Sequence, residues 1–251
     1  MTVTVHAADM VLTMTGEPLP GGAVVVDGGV IAAIGPRSEF TSERIRDWPG
    51  VLTPGLVNAH AHLQYGAPFA HLATAGLPYD EWSRAVAGVR AGLSDTDRQV
   101  ASRVSTHELL KSGTTTFLDS PLPPGRDCTT VLCARSRAVL GLPELAVADA
   151  LALGTDSLAS TPDLDLLAEA RACRDLARRQ GLVGCEEALV RAMTLGGAQA
   201  LGLEIGTLRV GGRADLAVFD VPVSDPYVSL VEHGVGRCVA TVLGGLLVHR
   251  R

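Results

Sequence analysis

The sequence predicts an α/β fold: a parallel sheet wrapped by helices, with a small all-β module assembled from the two chain ends. Three observations predict it. Strand-like and helix-like stretches alternate through residues 51–204, which argues for parallel strands with helices outside. Residues 1–50 and 205–251 read instead as short apolar strands separated by glycine turns. A chain that is 47% hydrophobic but only 4% aromatic, with 28 glycines, must build its core from Ala, Val and Leu and turn tightly. Its 251 residues suffice for one large domain or two smaller ones.

In chain order, "TVTVHAADMVLTM" alternates loosely as a first strand. "GGAVVVDGGVIAAIG" gives two strands around Asp27-Gly28-Gly29, and Trp48-Pro49-Gly50 closes the section. "GVLTPGLVNA" is the first strand of the middle region. Residues 95–112 form a helix, with Ser94 or Asp95 as cap and Gly113 as stop. "GTTTFLDS" is β-branched and strand-like. "SPLPPGRD" is an irregular connection, and "TTVLC" and "ALALGTD" are two more short strands. "TPDLDLLAEARACRDLARRQG" is an amphipathic helix with Thr161 or Asp163 near its cap and Gly181 past its end. "CEEALVRAMTLGGAQALG" is a final helix, and "ADLAVFDV" and "RCVATVLGGLLVHRR" return to strands, with a hairpin turn at Gly244-Gly245. The two terminal β segments are expected to pair into one module, since chain ends often lie close together.

The net charge of −6, with no basic stripe, argues against nucleic acid as a partner. The N-terminus lacks a basic head followed by an apolar stretch, and no apolar run reaches the ~18 residues of a membrane span. Five scattered cysteines with no C-x-x-C pair suggest reduced thiols and a cytoplasmic protein.

Two histidines, His60 and His62, close the first strand of the middle region in "NAHAHL". Residues i and i+2 of a strand share a face, so the two imidazoles converge, as nitrogen ligands of a metal must. Active sites of parallel α/β folds also gather at the C-terminal strand ends. Spacing alone leaves two solvated histidines as an equal alternative. Asp156 ends another strand in "LALGTDS"; such an acid often caps a turn, but here it can also reach the same face.

"TPGLVNAHAHL", "LLKSGTTTFLD", "LGTDSLASTPDLDLLAEAR" and "MTLGGAQALGLEIGTLRVGGRADLAVFD" resemble the amidohydrolase superfamily, with all four motifs in the family's order. The similarity points to the branch of cytosine, S-adenosylhomocysteine and aminodeoxyfutalosine deaminases and triazine chlorohydrolases. It implies a (β/α) barrel plus a β-sandwich built from both ends, so residues 51–204 would be the metal-dependent hydrolase domain and residues 1–50 and 205–251 the sandwich. It implies that His60 and His62 are metal ligands and that Asp156 is both ligand and catalytic proton shuttle. The ion would be one divalent metal, zinc or iron. The reaction would be hydrolytic deamination of a purine- or pyrimidine-like small molecule. Gln64 and His71 are the first-loop candidates for substrate binding.

The family pattern is only partly present. No His-x-Glu occurs to supply a further histidine and a general acid/base glutamate. Residues 51–204 are few for a barrel that typically takes about 250. By resemblance, "GLVNA", "TTTFLD", "TTVLC" and "LALGTD" match strands one, two, seven and eight, so strands three to six are expected to be missing, with the join near "PLPPGRDC". The seventh-strand loop reads Cys133-Ala134-Arg135-Ser136-Arg137 where the family has Cys-Pro-x-Ser-Asn. Lys111, the single lysine, sits at a helix end, which disfavours the two-metal branch with its bridging lysine. Weak metal occupancy, a possible homodimer of two half barrels, and a catalytically dead scaffold as the rival function all follow as expectations.

Overall fold

The structure is a computed structural model and describes residues 3–41, 44–120, 131–135 and 151–251. The terminal strands form β1 (Thr4–Val11), β2 (Leu19–Pro20), β3 (Gly22–Asp27), β4 (Val30–Pro36) and β5 (Ile45–Pro54), then β10 (Leu216–Phe219), β11 (Cys238–Leu243) and β12 (Leu246–Arg250). All eight belong to one sheet, in the order β12-β11-β10-β5-β1-β3-β4, with β2 paired to β1. The sandwich expectation therefore becomes one rolled sheet. Val30 bridges Arg213, Ile31 N–H donates to Gly212 O at 2.8 Å and Ala214 N–H to Gly29 O at 2.9 Å. Rolling lets Val24 and Ile31 of one arm share an apolar cluster with Leu216, Val218 and Val242 of the other, removing their side chains from water. The Gly244-Gly245 turn joins β11 and β12 with φ of 53° and 79°, left-handed values that favour glycine.

"GVLTPGLVNA" is two strands, not one. β5 runs to Pro54 in the rolled sheet, and β6 (Leu56–Ala61) starts a second, parallel sheet. The break falls at Gly55, where any Cβ would collide with the Thr115 side chain. β6 pairs in parallel with β7 (Thr114–Asp119). β8 (Val131–Leu132) pairs in parallel with β9 (Ala152–Leu153). A parallel bridge between Ala61 and Asp156 joins the two pairs, so these strands lie in the order β7-β6-β9-β8. The "PLPPGRDC" junction and the segment after Arg135 lie outside the described residues.

Two helices lead into β7. α1 (Tyr79–Gly92) has no counterpart in the sequence reading; it starts after Pro78 with Asp80 and Glu81 in its first turn, where acids complement the helix dipole. α2 (Asp95–Lys111) is capped by Ser94, whose hydroxyl accepts the Asp97 N–H while the Asp97 carboxylate accepts the Ser94 N–H. α3 (Leu166–Arg179) begins at Asp165, not at Thr161 or Asp163: the Asp165 carboxylate accepts the Leu167 N–H at 2.9 Å. Asp163 is held by Arg135 instead, at 2.9 Å, and the Thr161 hydroxyl donates to nearby carbonyls. The final helix is broken into α4 (Glu186–Arg191), a π-turn over Ala192–Gly196 and α5 (Gly197–Ala200). There Gly196 and Gly197 press against the carbonyls of Leu151 and Val57, so the widened turn fits the helix onto the strands that carry the site. α6 (Pro226–His233) packs on α3 and α4. Among the described residues, no helix is long and apolar enough to cross a membrane.

Candidate metal centre

β6 and the residue that follows it place Asn58, His60 and His62 at alternate positions, hence towards one face. Asn58 is fully buried and ties β6 to the segment after β9: its amide donates to Thr155 Oγ1 at 2.7 Å, and its carbonyl oxygen accepts the Thr155 N–H at 3.2 Å and the His60 N–H at 3.3 Å. Backbone bonds continue the seam. Asp156 N–H donates to His60 O and His62 N–H donates to Asp156 O, both at 3.0 Å. Gly154 permits the approach, because a Cβ there would lie 2.7 Å from His60 Cβ. Asp156 itself has φ of 57°. A non-glycine residue held in this region marks local strain, which concentrates at functional sites.

The two imidazoles stand edge to face, with ring centroids 4.8 Å apart. His62 Nε2 lies 3.8 Å from Asp156 Oδ1. One ligand atom from each of His60, His62 and Asp156 lies within 4.8 Å of the others. The ring of His62 is oriented by its far side: Nδ1 lies 2.7 Å from Ser120 O. A carbonyl only accepts, so Nδ1 carries the proton and Nε2 keeps its lone pair. His62 Nε2 is buried and has no hydrogen-bond partner. A buried lone pair without a donor is costly unless something electrophilic meets it, and a divalent ion fits that requirement. Burial, reinforced by the neighbouring His62 and opposed by Asp156, lowers the pKa of His60. That favours the neutral ring a metal needs.

A cavity of about 720 Å³ opens beside Asp156. Gln64 lines it, and its amide donates to Ser120 O at 3.3 Å. Tyr65 also lines it and stacks on His62, with centroids 5.7 Å apart. His71 is brought to neither the cavity nor the ligand group; it is exposed on the 3-10 turn Ala67–Leu72. Asn58, Tyr65 and Trp82 escaped the sequence reading. The alternation Asn58-His60-His62 was the signal for the first. For Trp82 the signal was apolar spacing through Trp82, Ala85, Val86 and Val89. Shortly after β8, Arg135 binds Glu169 through Nε at 2.6 Å. Burial pushes the Glu169 carboxyl up to about 6 against the pull of Arg135.

The model of the amidohydrolase family matches residues 51–129 and 124–245. The chain is 35% identical over 132 residues to an imidazolonepropionase from Bradyrhizobium sp., covering 48% of this chain and 31% of that protein. It is 35% identical over 140 residues to a 5-methylthioadenosine/S-adenosylhomocysteine deaminase from Syntrophobacter fumaroxidans, covering 53% and 32%. The matched segments thus span about a third of these relatives. Among solved structures, an adenosine deaminase from Xanthomonas campestris with bound zinc superposes with a TM-score of 0.79 at 18% identity, covering 98% of this chain and 93% of that one. The aminofutalosine deaminase of Helicobacter pylori gives 0.76 at 16%, covering 98% and 100%. At such identities the structural likeness shows the fold alone. The family model, by contrast, spans most of the sequence and takes in both motifs that meet at the candidate metal centre, and on that ground the chain belongs to the amidohydrolase family.

Proposed function

We propose that the chain is a metal-dependent hydrolase that removes an amino group from a purine- or pyrimidine-like ring, converting C–NH2 and water to C=O and ammonia. The observation that carries this reading is the convergence of His60, His62 and Asp156 around the orphaned Nε2 of His62. His60, His62 and Asp156 would hold a divalent ion, zinc or iron, which would lower the pKa of a water towards about 7. Asp156 accepts the proton from the attacking water and returns it to the leaving amino group. Ser120 O keeps His62 in the ligating tautomer. Asn58 holds β6 and the Asp156 segment in register. Gln64 contacts substrate from the cavity wall; His71, exposed on its turn, is assigned no contact. The site belongs to residues 51–204, the hydrolase unit of this reading, and residues 1–50 with 205–251 form the terminal β unit, with β5 running across the seam to Gly55.

A second reading, a scaffold without catalysis, is favoured by one observation. Among the described residues, the ligand group stops at three and Asp156 is the only carboxylate lining the cavity. Zinc content and ammonia release separate the two. After loading with excess zinc and a short desalting step, the enzyme reading expects near one zinc per chain, lost in His62→Ala. It also expects ammonia from adenosine- or cytosine-type substrates, reduced by at least ~100-fold in Asp156→Asn. Zinc bound without ammonia release would favour the scaffold.

A further inference from the structure

The left-handed φ of Asp156, 57°, is disfavoured for any residue with a Cβ, so its surroundings must hold it there. Two of the bonds that do so are backbone bonds: Asp156 N–H donates to His60 O, and Asp156 O accepts the His62 N–H. A third comes from a side chain. Thr161 is fully buried, and its Oγ1 lies 3.3 Å from Thr155 O, the carbonyl of the peptide that leads into Asp156. In a trans peptide that oxygen and the Asp156 N–H point opposite ways, so the two partners pin one plane at both edges. Thr161 Oγ1 also lies 3.1 Å from Ser157 O and 2.9 Å from Asp163 O, but a hydroxyl has one proton to donate. Ser157 O already accepts the N–H groups of Ser160 and Thr161, both at 2.9 Å. Asp163 O already accepts Arg135 Nη2–H at 3.2 Å. Thr155 O has no other donor among the described residues, and a buried carbonyl without one is costly.

We propose that Thr161 is a positioning residue for Asp156: its hydroxyl donates to Thr155 O and so fixes the left-handed turn that aims the Asp156 carboxylate at His60 and His62. The inference rests on the metal reading of those three residues given above. Thr161 suits the task. Its β-branch restricts χ1, and Pro162 after it restricts its backbone, so the hydroxyl is delivered with little freedom to lose. Nor is the hydroxyl needed as a helix cap, because Asp165 caps α3. Without the Thr161 bond one edge of the Thr155–Asp156 plane is released. Asp156 then relaxes from its disfavoured φ, and its carboxylate leaves the position 3.8 Å from His62 Nε2.

The test reads backbone geometry and zinc affinity, not turnover. Crystal structures of the full chain and of Thr161→Val, which keeps the shape and removes the hydroxyl, give φ at Asp156. Competition with a chromophoric chelator gives the zinc dissociation constant. Thr161→Val is expected to move Asp156 out of the left-handed region and to weaken zinc binding about 10–100-fold, as loss of an outer partner of a ligand does. Thr161→Ser keeps the hydroxyl and should keep both the φ and the affinity, whatever the valine variant does to folding. Thr241→Val controls for loss of stability alone. It removes an equally buried hydroxyl, bonded to Leu110 O at 2.7 Å in the terminal sheet, and should lower the melting temperature while leaving zinc affinity unchanged. An Asp156 that keeps its φ in Thr161→Val, unchanged zinc affinity in that variant, or an equal loss in Thr161→Ser or Thr241→Val would overturn the proposal. A wild-type chain that binds no zinc would refute the metal reading instead, and the φ of Asp156 in the serine and valine variants would then decide the role of Thr161.

Discussion

Single residues in this fold carry roles that their type alone does not reveal, and His6 is the clearest. It is fully buried in β1. Trp48 Nε1–H donates to His6 Nδ1 at 3.3 Å, so the neutral ring carries its proton on Nε2, which has no partner. Burial, aided by the charge of Arg46, lowers the pKa from 6.5 to about 4. As pH falls, the unfolded chain therefore binds this proton before the folded one does. The stability it contributes is complete above about pH 6.5 and is lost progressively down to about pH 4. At ~1.4 kcal/mol per unit of pKa separation, the loss amounts to roughly 3 kcal/mol. Denaturant titrations across this range should show that decline, and His6→Gln should flatten it; an equally steep curve in the variant would remove His6 as the cause. In sequence His6 looks like the other terminal histidines, His233 and His249, because nothing local marks a residue that another strand will cover.

At the scale of elements, the candidate metal centre depends on how closely β6 and the β9 segment approach. Gly154 sets that distance, since its missing Cβ is what lets His60 pass. Gly154→Ala is expected to cost about 1–3 kcal/mol by overpacking and to lower zinc stoichiometry as well, because His60 would be displaced. Melting curves and elemental analysis together check this; normal zinc content in a destabilised variant would show that the ligands tolerate the shift. The elements that sequence reading located well have strong local signals: the Ser94 box that starts α2, and the glycine pair between β11 and β12. Those it misplaced are set from outside. α3 starts at Asp165 because Arg135, far away in sequence, occupies Asp163. The last helix widens because Gly196 and Gly197 meet the carbonyls of Leu151 and Val57. α1 has an apolar period, and its place is fixed from outside, by Trp82 Nε1–H donating to Ala159 O.

For the whole molecule, the parallel order β7-β6-β9-β8 leaves β7 paired only with β6 among the described residues. Leu118 on that strand is 44% exposed. An open strand edge carrying apolar side chains invites a second strand. Sedimentation at tens of micromolar is therefore expected to show a dimer, weakened by Leu118→Lys. A stable monomer would mean that the edge is covered within the chain. The rolled terminal sheet makes no such demand: its two arms meet through Val30 and Arg213 and bury their shared cluster.

By itself the sequence determined the membership of the fold and the choice of candidate ligands, because both rest on short patterns. "NAHAHL" puts two imidazoles on one face of a strand, and "LALGTD" ends a strand in an acid. These are statements about period and residue type, and period is local. What only the tertiary structure decided is distance and direction. His62 Nε2 is left without a hydrogen-bond partner because Ser120 O, 58 residues away, takes Nδ1. Asp156 lies close enough to share an ion with the histidines because Asn58 and Gly154 close the gap between two strands nearly a hundred residues apart. His71 and Gln64 were alike as first-loop candidates, yet one lies exposed on a turn and the other lines the cavity. Burial and close approach are sums over contacts from distant parts of the chain, and no local pattern encodes them.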